Sequence, residues 1–142
     1  MAEQEPPKLT RLQPEDENEK PIRILYAEDT EVIRNVMAQT LEIYGYTVAT
    51  AKNGREGVEM ALQWKPDLIL MDLRMPVMDG FEAIRAIKVN PKTRHIPVFV
   101  VSAWNSQKEL DQAKSAGAAA FFVKPTDIKR LNQAIKNAVT PS

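Results

Sequence analysis

The chain has 142 residues, with 19 basic and 19 acidic side chains and no cysteine. That length suits one domain with a single buried core, and the balanced charge gives no global attraction to nucleic acid or to an anionic membrane. The absence of cysteine excludes disulfides and thiolate metal sites. Residues 1–20 carry six acids against three bases, three prolines and few large apolar side chains. Such a segment cannot offset its ordering entropy, so a disordered acidic tail is expected there, followed by a folded domain over 21–140. From Pro21 the texture becomes an alternation. "IRILYA" (22–27) predicts a strand. Val32, Ile33, Val36, Met37, Thr40, Leu41 and Tyr44 then recur at helical spacing, with Asp29 or Thr30 as cap and Gly45 as stop. "YTVATA" (46–51) is a second strand, and "GREGVEMALQW" a helix with Val58, Ala61 and Leu62 inward. "DLILM" (67–71) is a continuous apolar strand, the pattern of one covered on both faces. "GFEAIRAIKVN" (80–90) is a helix whose Phe81, Ile84 and Ile87 pack on the sheet, and "IPVFVVSA" (96–103) is a fourth strand. "SQKELDQAKSAG" is a helix ending at Gly117, and "AAFFV" (119–123) is a fifth strand. Ile128, Leu131, Ile135, Ala138 and Val139 line one face of a last helix.

Five strands, each followed by a helix, predict an α/β fold: a doubly wound parallel sheet with helices on both faces. The longest apolar run, "IPVFVVSAW", falls far short of the roughly 20 residues a membrane span needs, and no apolar leader opens the chain. A cytoplasmic protein with neither a nucleic-acid nor a membrane partner is expected.

In such sheets ligands bind outside the carboxyl ends of the strands. There the first strand delivers Glu28 and Asp29, the third Asp72, the fourth Ser102 and the fifth Lys124-Pro125. The second ends in a plain turn, Lys52-Asn53-Gly54. Three carboxylates at one edge repel one another unless a cation sits between them, and few oxygen ligands with several waters suit Mg²⁺. Asp72 is then placed as a nucleophile toward a phosphoryl group, with Lys124 and the Ser102 hydroxyl as stabilising partners. Each piece has a plain explanation by itself: Asp72 as a turn residue, Asp29 as a helix cap, Lys124 and Ser102 as a solvated and a satisfied side chain. Their coincidence at four strand ends points to phosphoryl transfer.

The acid pair Glu28-Asp29, "MDLRMPVMDG" around Asp72, "VVSA" with Ser102 and "GAAAFFVKP" with Lys124 resemble the receiver domain of two-component response regulators. The likeness runs from about Ile22 to Val139. It implies a CheY-like, flavodoxin-like sheet of strand order 2-1-3-4-5 with five helices. It further implies that Asp72 accepts a phosphoryl group from the phosphohistidine of a sensor histidine kinase or histidine phosphotransfer protein. Asp29, Asp72, the backbone carbonyl of Arg74 and, through water, Glu28 would hold Mg²⁺. Lys124 would pair with the phosphoryl oxygens, ahead of a cis Lys124-Pro125 bond. Ser102 would move inward with Phe121, shifting the helix 4–strand 5–helix 5 surface toward an output protein or a further phosphotransfer step. Beyond self-catalysed acceptance and slow loss of the group, no enzyme activity is implied.

Three departures from the family pattern stand out. Glu28 replaces a commoner Asp, and Phe121 lacks a tyrosine hydroxyl. Arg74 and Trp104 lie two residues after the phosphoacceptor and the switch serine, so they are expected to shield the acyl phosphate and prolong its life; the plain alternative is two exposed loop side chains. His95, in a proline-flanked loop, is expected to be solvated and not to donate phosphoryl groups, and Lys129, Arg130 and Lys136 to form a solvated face. An aspartyl-phosphate phosphatase would need an acid where Arg74 stands, and no glycine-rich nucleotide loop follows any strand. A stand-alone receiver is expected. The alternatives are a receiver portion of a larger regulator or hybrid kinase, and a receiver acting through partner binding without phosphorylation.

Overall fold

Strands and helices alternate throughout the described residues, 20–139, of the computed structural model. The elements are β1 (Arg23–Ala27), α1 (Glu31–Ile43), β2 (Thr47–Ala51), α2 (Gly54–Trp64), β3 (Leu68–Met71), α3 (Gly80–Val89), β4 (Val98–Ser102), α4 (Gln107–Ala116), β5 (Ala120–Val123) and α5 (Ile128–Val139). Apart from Lys20, the acidic tail expected over 1–20 lies outside the described residues. The five strands form one sheet in the order β2-β1-β3-β4-β5, every neighbouring pair parallel. The strand order, not the strand direction, reverses between β1 and β3, so the crevice at their carboxyl ends is the place for a ligand.

Even in the fully apolar strands the two-residue period sorts side chains between two cores. Leu25, Ala27, Ile69, Met71, Val98 and Val100 pack on one face with Ala61, Phe81, Ile84 and Ile87 from α2 and α3. Ile24, Tyr26, Leu68, Leu70, Phe99 and Val101 pack on the other with Leu41 of α1 and Leu131 and Ile135 of α5. All four residues of β3 are fully buried. Each such side chain contributes about 2 kcal/mol of apolar burial, so the strand is anchored well enough to carry an unfavourable charge at its tip.

The helix starts follow local chemistry. Asp79 and Glu82 form a reciprocal capping box at α3, Ser106 and Glu109 another at α4, and the Asn53 side chain accepts from Glu56 N–H at α2. Thr30 caps α1 by position only: its side chain makes no capping bond, and its N–H donates to Glu28 Oε2 at 3.1 Å instead.

Three sequence expectations are corrected. The apolar spacing in α1 is helical, but Val32, Ile33 and Val36 are 70, 41 and 58% exposed. The stripe is wider than the strip the sheet covers, and burial falls on Leu41, with Met37 and Tyr44 packed beside it. Leu62 is likewise exposed at the rim of α2, because Ala61 takes the inward position. Ala138 points to solvent, and Ala134 packs in its place. His95 is exposed, as expected, and among the described residues no helix is long and apolar enough to cross a membrane.

Candidate functional site

The carboxyl ends of β1, β3 and β5 bring four charged side chains together. Glu28, Asp29 and Asp72 each offer an oxygen, all within 4.8 Å of one another. The Lys124 ammonium forms a short ion pair with Glu28 Oε1 and lies 3.4 Å from Asp72 Oδ2. The burial differs sharply between the acids: Glu28 and Asp72 are 1 and 6% exposed, whereas Asp29 faces solvent. Lys124 is set in place by its own backbone, whose N–H donates to the Ser102 carbonyl at 3.0 Å, and the Lys124-Pro125 peptide is cis.

Burial sets the ionisation of this cluster. The Asp72 carboxyl is pushed up to about 6, first by desolvation and then by the Glu28 charge, against the opposing pull of Lys124 and of the Leu73 N–H on Oδ1. Burial would also raise Glu28, but hydrogen bonds from Lys124, the Thr30 amide and Tyr26 hold it below the ordinary carboxylate range. Three carboxylates share this edge with the single Lys124 ammonium, so a bound cation would relieve their mutual repulsion. The donor set of hard oxygens, one of them open to solvent for bound waters, fits Mg²⁺.

The remaining predicted residues lie around this centre. Ser102 is fully buried and its Oγ accepts from the Trp104 N–H at 3.0 Å. Phe121 is half-buried against the α2–α3–α4 core. Arg74 and Trp104 meet one another: the guanidinium lies 4.0 Å from the indole centroid and pairs with Glu109 of α4 at 3.3 Å. Both side chains are half-exposed, so the stack is a surface bridge from the β3–α3 loop to α4.

Two contributors escaped the sequence reading. Arg34 of α1 donates to the Glu28 carbonyl at 2.9 Å and reaches the Asp29 carbonyl at 3.4 Å, holding the acid pair's backbone. Tyr26 is fully buried, and its hydroxyl donates to Glu28 Oε1 at 3.2 Å. The available signal was the strand period, which puts residue 26 on the face of residue 28.

Residues 24–136 match the response regulator receiver domain family. The chain belongs to that family. This receiver is 40% identical over 121 residues to the transcriptional regulatory protein PdtaR of Mycobacterium tuberculosis, covering 84% of this chain and 58% of that one. The chain thus spans under two thirds of PdtaR. It is 31% identical to the polar-differentiation response regulator DivK of Brucella anthropi, over 82% of this chain and 95% of DivK. With the protein PilH of Pseudomonas aeruginosa the identity is 37%, over 82% of this chain and 96% of PilH. Among solved structures it resembles the receiver domain of the sensor histidine kinase PA1611 of Pseudomonas aeruginosa, a structure with a magnesium ion coordinated in the active site cleft. That match has a TM-score of 0.80 and 29% identity, over 86% of this chain and all of the other. The chemotaxis protein CheY4 of Vibrio cholerae is similar at a TM-score of 0.78 and 29% identity, over 84% of this chain and 99% of that one. The receiver architecture, with strand order 2-1-3-4-5 and five helices, is therefore the one expected from the sequence.

Proposed function

We propose that this receiver takes a phosphoryl group onto Asp72 from a phosphohistidine of a sensor histidine kinase or histidine phosphotransfer protein. The observation that carries this reading is the meeting of three carboxylates within 4.8 Å, with Lys124 shared between Glu28 and Asp72. One oxygen of ionised Asp72 attacks phosphorus, and the bond from phosphorus to the donor's imidazole nitrogen breaks. Its electron pair stays on that nitrogen, which is then protonated. The product is an acyl phosphate. Asp29, Asp72, the Arg74 carbonyl and, through water, Glu28 would hold Mg²⁺, which when bound supplies positive charge to the phosphoryl oxygens. Lys124 Nζ moves from the carboxylates onto a phosphoryl oxygen. Ser102 donates a hydrogen bond from its hydroxyl to another.

The donor must dock beside this edge, and α1 offers an apolar surface there. A cleft of about 750 Å³ is lined by Val32, Ile33, Val36, Ala103, Lys124 and Pro125. In the same cleft the Thr126 hydroxyl is buried with no hydrogen-bond partner among the described residues. An amphipathic helix bearing the phosphohistidine would cover the exposed α1 face. Output runs through α4, β5 and α5, where a cleft of about 330 Å³ between α4 and β5 borders Phe121 and gives that ring room to move by packing alone. Signalling of this kind is a shift between two conformations, with no substrate turnover beyond acceptance and loss of one group.

The test is incubation with a small phosphodonor and Mg²⁺, followed by intact mass. One phosphoryl adduct is expected on the parent protein and none on Asp72→Asn; no adduct on the parent under any Mg²⁺ condition would sink the proposal. The Arg74–Trp104 stack bears on the adduct's lifetime. It ties the β3–α3 loop that follows Asp72 to Trp104 and to Glu109 of α4, and if it shields the adduct, Arg74→Ala and Trp104→Ala should each speed phosphate release several-fold. Phosphate release at the parental rate from both variants would leave the pair as ordinary surface side chains.

A further inference from the structure

Glu28 accepts three hydrogen bonds from the chain in the state described. Its Oε1 takes the Tyr26 hydroxyl and the Lys124 ammonium, and its Oε2 takes the Thr30 N–H. Lys124 is the one of the three that must leave. It already touches Asp72 Oδ2, and once a phosphoryl group stands on Asp72 the ammonium is drawn to the new oxygens. Its departure strips one donor from a carboxylate that is 1% exposed, and a buried carboxylate short of partners is costly.

We propose that Tyr26 is a positioning residue for the phosphorylated state, its buried hydroxyl holding the Glu28 carboxylate in place when Lys124 transfers to the phosphoryl group. The geometry suits the task. Tyr26 lies two residues before Glu28 on β1, on the same face of the strand. Its ring is locked in the core among Leu41, Leu70 and Leu131, so the hydroxyl cannot follow Lys124. A phenol is protonated, and so a donor, at neutral pH. Without this hydroxyl, Oε1 loses one of two protein donors in the resting state but its only remaining protein donor in the phosphorylated state. The cost therefore falls on the phosphorylated state.

The inference rests on Asp72 being the phosphoacceptor, and the experiment separates the two. The probe is beryllofluoride, a phosphoryl mimic, added to full-length wild type and Tyr26→Phe at saturating Mg²⁺, with affinity read by calorimetry. Mg²⁺ affinity is read separately without the mimic. Tyr26→Phe keeps the ring and its packing, and melting without ligands checks the fold. Beryllofluoride affinity is expected to fall at least about tenfold, the effect of losing one hydrogen bond to a charged group. Mg²⁺ affinity alone should change far less. Equal beryllofluoride affinity in the two proteins, or a parallel loss of both affinities, would overturn the assignment while leaving the phosphoacceptor reading intact. A wild type that binds Mg²⁺ but not the mimic would overturn the phosphoacceptor reading, and this inference with it.

Discussion

Asp72→Asn is expected to lose the phosphoryl adduct and, at pH 7.5 without divalent cations, to be more stable than the parent. The Asp72 carboxyl is raised to about 6 by burial and by Glu28, whereas in the unfolded chain it titrates near 3.9. Between those values the native state binds a proton that the unfolded state has released. Stability therefore falls as pH rises through the window from about 4 to about 6, and the whole penalty is present above it. The shift corresponds to a penalty on the order of 2 kcal/mol, allowing for coupling to Glu28 and Lys124. Asparagine removes the charge and keeps the shape. Melting of both proteins in EDTA should show a gain of roughly 5–10 °C at pH 7.5 that shrinks toward nothing at pH 4. Adding Mg²⁺ should stabilise the parent and narrow the gap, since a bound cation stabilises the state that holds it. Matching melting curves at pH 7.5 would mean that the ionised carboxylate carries no strain. If the gap appears, Asp72 is held at the expense of stability, anchored by the fully buried β3 behind it.

Much of that balance was legible in the chain. "DLILM" is continuous because helices cover both sides of β3, and polar residues at four strand ends could only meet if those ends shared an edge. The sheet places Glu28, Asp29, Asp72 and Lys124 together as that reasoning requires. What stayed hidden depends on distances in space. The periodicity of α1 defines an apolar stripe but not how much of it the neighbouring elements cover, so Val32, Ile33 and Val36 share the stripe with Leu41 yet lie open. Arg74, Trp104 and Glu109 come from a loop, a second loop and a helix, and no local rule joins them. Tyr26 stood only as a residue of the first strand, because its hydroxyl's destination is set by the approach of Glu28 to Lys124.

Gly80→Ala is expected to damage both the fold and the site, for a reason its place in "MDG" does not disclose. As the first residue of α3 after the Asp79 cap, position 80 could take alanine on propensity alone. In space it sits against the backbone of Asp72. A Cβ there would lie 2.2 Å from the Asp72 carbonyl oxygen and 2.8 Å from Leu73 Cα, and the Gly80 N–H donates to the Leu73 carbonyl at 2.9 Å. These are main-chain atoms, so neither can rotate away. Either α3 lifts from the sheet or Asp72 moves, at a cost of about 2–3 kcal/mol. A shift of about 1 Å in the nucleophile relative to Lys124 and Asp29 slows transfer by up to about 100-fold. Gly57→Ala is the contrast. Its Cβ would meet only the side chains of Ala27 and Met71, at 3.4 and 3.5 Å, and it gains helix propensity inside α2, so it should melt within about 1 kcal/mol of the parent. Chemical denaturation of both variants, paired with the rate of adduct formation by intact mass, separates the cases. Parental stability and rate in Gly80→Ala would mean that the loop carrying Asp72 can yield without disturbing the site.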